Sequence, residues 1–322
     1  MGFRANVKSK LSQSTAGVKC LHCIRRVREL AYGAFVSDYQ ACCNIYRKRF
    51  SHKIDLAHPT AYTEKLNWLK LFYRDADMPV CSDKYRIRTF LAAHGYDHLA
   101  NTLLGVYEHA ADIDFDALPN RFVAKANHGS SWNLICTDKS KLNWKKACAE
   151  MDSWMKQDLS VFGREWNYRD IPRRILIEQF IDAPALTDYK FMCFNGSAKY
   201  LQINHDFEGK HYVDFYDVDW NKVPFTYGSY HRSDFVLGKP PRFDDMRRIA
   251  EELAAQFPFV RVDFYNPDAR IILGELTFFP GGGLWPLNPQ ETGYDAILGA
   301  ELRLPDANYN LKLLQKLQRS AK

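Results

Sequence analysis

The chain has 322 residues, 46% hydrophobic and 14% aromatic, with a net charge of +6 and eight cysteines. That composition can bury a large core in two or three lobes, and it contains no run of about 18 apolar residues to cross a bilayer as a helix. The N-terminus lacks a compact apolar segment with a small-residue cleavage site, so a cytoplasmic protein is expected. Its cysteines fit reduced thiols better than a disulfide framework. Cys20-Leu-His-Cys23 with Cys42-Cys43 is poor ligand spacing for zinc.

Residues 1–53 carry eleven Lys or Arg against two acidic residues, Glu29 and Asp38, so the rest of the chain is slightly acidic. A basic leader on such a body suggests peripheral contact with an anionic surface such as the inner face of a membrane. A solvated helical arm packed on the body is the plainer reading. Nothing in the leader resembles a nucleic-acid module, so no nucleic acid is expected.

In chain order, residues 20–50 suit helices, and Tyr62, Leu66, Leu69 and Tyr73 recur with amphipathic helical spacing. A further helix is expected from Ser82 or Asp83, as N-cap, to Ala93. Thr102–Tyr107, Arg121–Lys125 and Leu134–Cys136 are strand-like, and Trp144, Ala147, Met151 and Trp154 line a helix. Ile175–Ile181 is a buried strand. Tyr189–Phe194 and Lys199–Ile203 form a hairpin about Asn195-Gly196. Phe243, Met246, Ile249, Ala250, Leu253 and Phe257 mark another core helix, and the whole pattern is α+β.

Val260–Tyr265 and Ile271–Phe279 read as two strands joined by the turn formers Asn266-Pro267-Asp268. Side chains alternate along a strand, so Arg261 and Asp263 share one face, as do Glu275 and Thr277. Val262, Phe264, Leu276 and Phe278 take the other. One guanidinium and two carboxylates on a single surface suit hard-cation and phosphate chemistry, although a solvated hairpin would show the same alternation. The Pro280-Gly-Gly-Gly283 run lets a backbone approach a ligand closely. Upstream, a strand ending in Lys125 leads into His128-Gly129-Ser130-Ser131, whose N–H groups and hydroxyls can cap phosphate oxygens. Gly-Ser-Ser is by itself a common surface turn.

Arg261-x-Asp263 followed by Glu275-x-Thr277-x-x-Pro280-Gly281 resembles the metal-binding end of the ATP-grasp superfamily, which includes the D-alanine–D-alanine ligases. The resemblance implies ATP and two Mg²⁺ ions, with Mn²⁺ an expected substitute. It makes Asp263 and Glu275 metal ligands and Arg261 the stabiliser of the transferring phosphoryl group. An asparagine is usual where this chain has Thr277, which becomes the expected third ligand. The same resemblance gives Lys84, Lys125 and Lys190 phosphate contacts, the last two with catalytic roles, and gives Gly129, Ser130 and Ser131 a lid role. His128 departs from the general pattern and is expected to touch phosphate or substrate, or simply to satisfy the loop. In Ile175–Ile181, Glu178 is implied at the adenine amino group, with the backbone of Gln179, Phe180 and Ile181 along the ring. Asp188 is implied at a ribose hydroxyl.

A narrower resemblance covers residues 57–290. His58-Pro59, Thr63-Glu64-Lys65-Leu66-Asn67-Trp68, Asn127-His128-Gly129-Ser130, Asp188-Tyr189-Lys190-Phe191 and Gly274-Glu275-Leu276-Thr277 are similar to the TupA-like ATP-grasp proteins. The implied fold is an ATP-grasp of two lobes clasping ATP, divided into a basic helical extension (1–57), a region before the ATP-grasp (58–115), a small lid subdomain (116–174) and a large subdomain (175–322). The implied activity is carboxylate–amine ligation through an acylphosphate. Its partners would be an amino acid or other amine donor and a carboxylate-bearing glycan or amino acid, within bacterial surface-polysaccharide or capsule assembly. An ATP-grasp phosphotransferase, a glycosyltransferase using Asp217-Val218-Asp219, and a nucleotide-binding scaffold without turnover are the alternatives.

Overall fold

The computed structural model describes residues 36–183 and 186–305. Cys20 and Cys23, and the expected helix before residue 36, lie outside them. The leader instead contributes helix α1 (Asp38–Phe50), capped by Ser37, whose hydroxyl accepts from the Gln40 N–H at 3.2 Å. This helix is packed on the body, with Arg47, Lys48 and Arg49 left exposed. Ala41, Cys42 and Tyr46 are buried, the Tyr46 hydroxyl meets Thr63 Oγ1 at 3.1 Å, and the Cys42 thiol donates to Asn67 Oδ1 at 3.1 Å.

Helix α2 (Tyr62–Phe72) shows why its polar residues are there. Thr63 binds the Asp295 carboxylate through both its N–H (2.9 Å) and its hydroxyl (2.8 Å). Lys65 donates to the carbonyls of Gly299 and Leu302 at 2.7 and 2.8 Å. Asn67 and Lys70 donate to the carbonyls of Gly283 (2.7 Å) and Gly282 (2.6 Å). A segment read as an amphipathic helix thus ties the last third of the chain to the first.

The single helix expected from Ser82 or Asp83 is two, α3 (Asp77–Ser82) and α4 (Ile87–Ala93). The Asp83 carboxylate accepts from the Tyr85 N–H at 2.8 Å and the Asn127 amide at 2.9 Å, while the Lys84 N–H bonds to the Asn127 carbonyl at 3.1 Å. These contacts hold residues 83–86 in a turn that joins the two lobes.

The small sheet holds β1 (Leu103–Tyr107), β2 (Phe122–Ala126), β3 (Asn133–Cys136) and β4 (Ile175–Gln179), antiparallel in the order β1-β4-β2-β3. Strand β4, expected to open the large subdomain, is therefore hydrogen-bonded into this sheet, as is β1 from the preceding region. Helix α5 (Trp144–Met155) covers it, burying Ala147, Met151 and Trp154 against Phe122, Ala124 and Ile175. A short α6 (Leu159–Gly163) follows.

The large sheet runs β11-β10-β5-β6-β7-β8 and is antiparallel throughout. Its strands are β5 (Asp188–Phe194), β6 (Ser197–Phe207), β7 (Lys210–Asp217), β8 (Lys222–Val223), β10 (Phe259–Tyr265) and β11 (Ile272–Thr277). A two-stranded pair, β9 (Thr226–Tyr227) with β12 (Leu287–Asn288), stands apart. Helix α7 (Phe243–Ala254) packs on one face of the large sheet, and the last helix, α8 (Tyr294–Glu301), lies against α2. Phe191, Leu201 and Val262 share the face of the large sheet that α7 covers, and are fully buried. The opposite face carries the polar residues and looks toward the small sheet. The fold is α+β.

Asp217 lies at the end of β7, where its carboxylate accepts from the N–H groups of Asp219 (3.0 Å) and Asn221 (2.8 Å). Asp217-Val218-Asp219 is thus a self-bonded turn.

Candidate active site

Strand register builds the site. Asp263 pairs with Glu275 on one side and Lys190 on the other, and Lys190 pairs with Gln202. Four adjacent strands therefore bring Glu275, Asp263, Lys190 and Gln202 into one row on one face. The next row sets Tyr265 beside Asp188 and Asn204, and the row on the other side sets Arg261 beside Thr277. Pairing skips from Asp263–Glu275 to Phe264–Leu273, which makes Gly274 a bulge. A Cβ there would sit 3.3 Å from both the Asp263 carbonyl and the Tyr265 ring.

This face is buried rather than solvated, with Arg261 7% and Asp263 1% exposed. Arg261 chelates Asp263 through Nε (2.7 Å) and Nη2 (2.6 Å), and Nη2 also reaches Thr277 Oγ1 at 3.2 Å and Glu275 at 3.4 Å. Lys190 sits 2.7 Å from Asp263 and also pairs with Asp188. Thr277 donates to Glu275 at 3.1 Å. From the small lobe's side, Lys84 approaches Glu275 to 3.5 Å and donates to the Gly129 carbonyl at 2.6 Å.

The resulting electrostatics are specific. Burial would lift the Glu275 carboxyl, but Lys84, Lys190 and Arg261 hold it down at about 2. Asp188 is pushed up, by burial first and the Asp263 charge after it, against the pull of Lys190. Burial works against the charge on Lys190, yet Asp263 keeps that ammonium above its ordinary range.

Between the two sheets lies a cavity of about 290 Å³. Of the residues singled out in the sequence, Lys84, Lys125, Ser130, Ser131, Asp188, Lys190, Arg261, Asp263 and Glu275 line it. Four of these are basic side chains drawn from both lobes, a lining suited to a polyphosphate. Asp188 Oδ1 is buried with no hydrogen-bond partner, an acceptor that a ribose hydroxyl would satisfy. Asp263 and Glu275 form a carboxylate pair. Mg²⁺ is normally held by one or two carboxylates with phosphate and water oxygens completing its shell, so this pair fits the ion once a nucleotide is present. Among the described residues no group of three His, Cys, Asp or Glu forms an all-protein metal cage.

Other sequence candidates sit elsewhere. Glu178 faces a narrow adjoining cleft, and three side chains use its carboxylate: Lys125 (2.7 Å), Asn101 (3.3 Å) and Arg88 (3.4 Å). Burial opposes its charge, but Lys125 and Arg88 hold it below the ordinary range. Gln179 and Phe180 border an outer groove, with Arg121 stacked 4.8 Å over the Phe180 ring. Ile181 follows the end of β4. Thr277 is not among the residues that line the cavity. His128 is buried outside the cavity lining, and burial followed by Arg173 lowers it to about 4, so the ring is neutral. Gly129 packs under Trp132, whose ring a Cβ would strike at 2.1 Å. Cys42 bears no thiolate, because burial lifts it to about 11.

Sequence reasoning missed Gln202, Asn204, Tyr230, Tyr265, Trp132 and Trp285, which also line the cavity, as do Asn133 and Gly274. The alternation of Gln202 and Asn204 with buried Leu201 and Ile203 was a usable signal. Tyr230 and Trp285 carried none, since both come from irregular segments.

The family model for TupA-like ATP-grasp proteins matches residues 64–303, most of the chain. The chain belongs to the TupA-like ATP-grasp family. Enzymes of the ATP-grasp class use ATP with a divalent metal and form C–N bonds. Among curated proteins none matches this ATP-grasp chain. Solved structures similar to it include the D-alanine–D-alanine ligase of Helicobacter pylori, at 16% identity over 76% of this chain and 69% of that one, with a TM-score of 0.40. The Bacillus anthracis D-alanine–D-alanine ligase complexed with ATP is similar at 16% over 62% and 55%, with a TM-score of 0.37. The Staphylococcus aureus N5-carboxyaminoimidazole synthetase complexed with ADP is similar at 11% over 70% and 53%, with a TM-score of 0.38. The TupA-like chain thus spans between about half and two thirds of the length of these structures. Among its described residues, no helix is long and apolar enough to cross a membrane.

Proposed function

We propose that this protein is an ATP-dependent carboxylate–amine ligase that forms an amide through an acylphosphate, attaching an amino acid or peptide to a bacterial surface polysaccharide or its precursor. The observation that carries the ligase reading is the facing of Lys84, Lys125, Lys190 and Arg261 onto one cavity with the Asp263–Glu275 pair. In this reading the three lysines bind the triphosphate, and Asp188 takes a ribose hydroxyl. Asp263 and Glu275, with Thr277 beside them, would hold two Mg²⁺ ions, which supply charge neutralisation to the phosphates when bound. Arg261, fixed by its bidentate bond to Asp263, offers its remaining N–H groups to the phosphoryl group in flight. A substrate carboxylate attacks the γ-phosphate, and an amine then displaces phosphate from the acyl carbon. Ser130 and Ser131 stand on the loop that would exclude water from this intermediate.

The glycan side of the proposal rests on the family resemblance and on the aromatic and amide lining of Trp132, Tyr230, Trp285, Gln202 and Asn204. The basic stretch of residues 1–53 supports peripheral membrane attachment on the cytoplasmic side. ATP turnover against a panel of amino acids and uronic acids, with mass spectrometry of products, tests the reading. Release of orthophosphate that requires an amine is the expected result. Phosphate retained in the product would instead make the protein an ATP-grasp phosphotransferase. The glycosyltransferase alternative is disfavoured because Asp217 is committed to its own turn.

A further inference from the structure

Along β6 the cavity opens in one direction. Gln202 and Asn204 line it, whereas Tyr200, two residues the other way, packs its ring against Tyr294 of α8 with centroids 6.3 Å apart. Asn204 pairs with Asp188 on one side and with Val213 of β7 on the other. The Val213 N–H donates to the His231 carbonyl at 2.9 Å, which brings Tyr230 to that side, and the Tyr230 and Trp285 rings meet edge to face at 5.8 Å. Asn204 therefore stands between the Asp188 side of the cavity and an aromatic pair.

The two amides on β6 have a fixed orientation. Gln202 is 3% exposed, its Oε1 lies 3.5 Å from Arg261 Nη1, and its Nε2 donates to Asn204 Oδ1 at 2.8 Å. A guanidinium and an ammonium only donate, and Gln202 has Arg261 at its oxygen and Lys190 as its strand partner. Turning its amide over would set N–H against those donors. Its oxygen end faces them, its nitrogen end faces Asn204, and Asn204 answers with its own oxygen. What remains of Asn204 is the NH₂ group, which makes no hydrogen bond among the described residues. A half-buried residue of the cavity wall thus offers N–H donors and no free acceptor. Such a group takes a carboxylate, carbonyl or hydroxyl oxygen and has nothing to give an ammonium.

We propose that Asn204, oriented from Arg261 through Gln202, is a specificity-determining residue that donates to an oxygen of the carboxylate substrate and not to the amine substrate, an assignment that rests on the ligase reading above. The reacting carboxylate has to lie by Arg261 and the phosphates. Two residues along a strand span about 7 Å, so the oxygen that Asn204 holds belongs to the body of that substrate, about the breadth of a sugar ring from the reacting carbon. Tyr230 and Trp285 offer apolar ring faces beside it. Gln202 is a positioning residue: it sets which end of the Asn204 amide meets the cavity.

The test measures orthophosphate release by wild type, Asn204→Leu, Gln202→Glu and the double variant, given ATP, Mg²⁺ and a panel of amino-acid and uronic-acid carboxylates and amines. Asn204→Leu keeps the size and removes the donors. Gln202→Glu leaves no N–H at 202, so Asn204 must turn to donate to it and show its oxygen to the cavity. Each single variant should raise KM for the carboxylate substrate roughly tenfold, while KM for ATP and for the amine stays within about twofold. The double variant should be no worse than Asn204→Leu, because Gln202 acts through Asn204. Unchanged KM for the carboxylate, or losses that multiply in the double variant, overturns the assignment. A rise in KM for ATP instead would put Asn204 at the ribose beside Asp188, and overturns it too. If melting curves show that Gln202→Glu fails to fold, Asn204→Asp carries the test with Asn204→Leu: its second oxygen faces the cavity as an acceptor, and KM for the carboxylate should rise at least as far. No release by wild type with any pair would overturn the ligase reading, and the role of Asn204 with it.

Discussion

Glu275 is kept ionised by cations from three separate places in the chain: Lys84 in the turn between the lobes, Lys190 on β5 and Arg261 on β10. Replacing it with Gln keeps the shape and removes the charge. Under the proposed mechanism, turnover should fall roughly 100-fold or more, about 3 kcal/mol of transition-state stabilisation, in a steady-state assay. Stability should follow pH with a definite sign. A carboxylate lowered from 4.5 to about 2 contributes stability above its ordinary value and loses it as pH falls toward the lowered one. Wild type should therefore lose melting temperature faster than Glu275→Gln on acidification below about pH 5. Thr277→Asn should keep activity or raise it, because an amide can donate to Glu275 and accept from Arg261 as the hydroxyl does. Loss of activity in Thr277→Asn alongside normal turnover in Glu275→Gln would remove the metal assignment.

At the scale of elements, the leader is where sequence and structure part most usefully. Charge alone says that the leader could meet an anionic surface and leaves open what it packs against. Helix α1 instead buries Tyr46 completely and holds Arg164 and Arg169 through Asp38. Removing residues 1–35 should leave turnover of soluble substrates near wild type while weakening binding to anionic vesicles in a salt-dependent way. Extending the cut to residue 50 should produce insoluble or strongly destabilised protein, since truncating one buried aromatic alone costs about 3–5 kcal/mol. Circular dichroism melts of the two truncations separate the outcomes. Much of the rest was legible. Period-two alternation located the β10–β11 face, Asn195-Gly196 located the β5–β6 hairpin, and helical periodicity located α2, α5 and α7. What periodicity could not supply was the distant partner of a polar residue. Helical spacing names no partner for Asn67 and Lys70, yet their acceptors are glycine carbonyls more than two hundred residues later. Likewise Asp83 read as a helix cap because nothing local announces its bond to Asn127.

For the whole molecule, what matters is how the two lobes are joined. Direct contacts across the cavity include those of Lys84 with Glu275 and with the Gly129 carbonyl. Such contacts are worth little where water can reach them, and four cations facing one cavity repel one another. A polyanion seated there would offset that repulsion and bridge the lobes. ATP with Mg²⁺ is therefore expected to raise the melting temperature, by linkage to the folded state alone: about 2.7 kcal/mol at a hundredfold excess over Kd, or several degrees for a chain of this size. ATP without metal should give a smaller shift, because Asp263 and Glu275 would then meet uncompensated phosphate charge. A UDP-sugar, with fewer phosphate charges and no adenine, should shift it much less. Differential scanning fluorimetry with ATP, Mg·ATP and a UDP-sugar in parallel distinguishes these cases. A larger shift from the UDP-sugar would mean that the cavity between the sheets is a nucleotide-sugar site, and the cationic lining would have to be reassigned to a diphosphate.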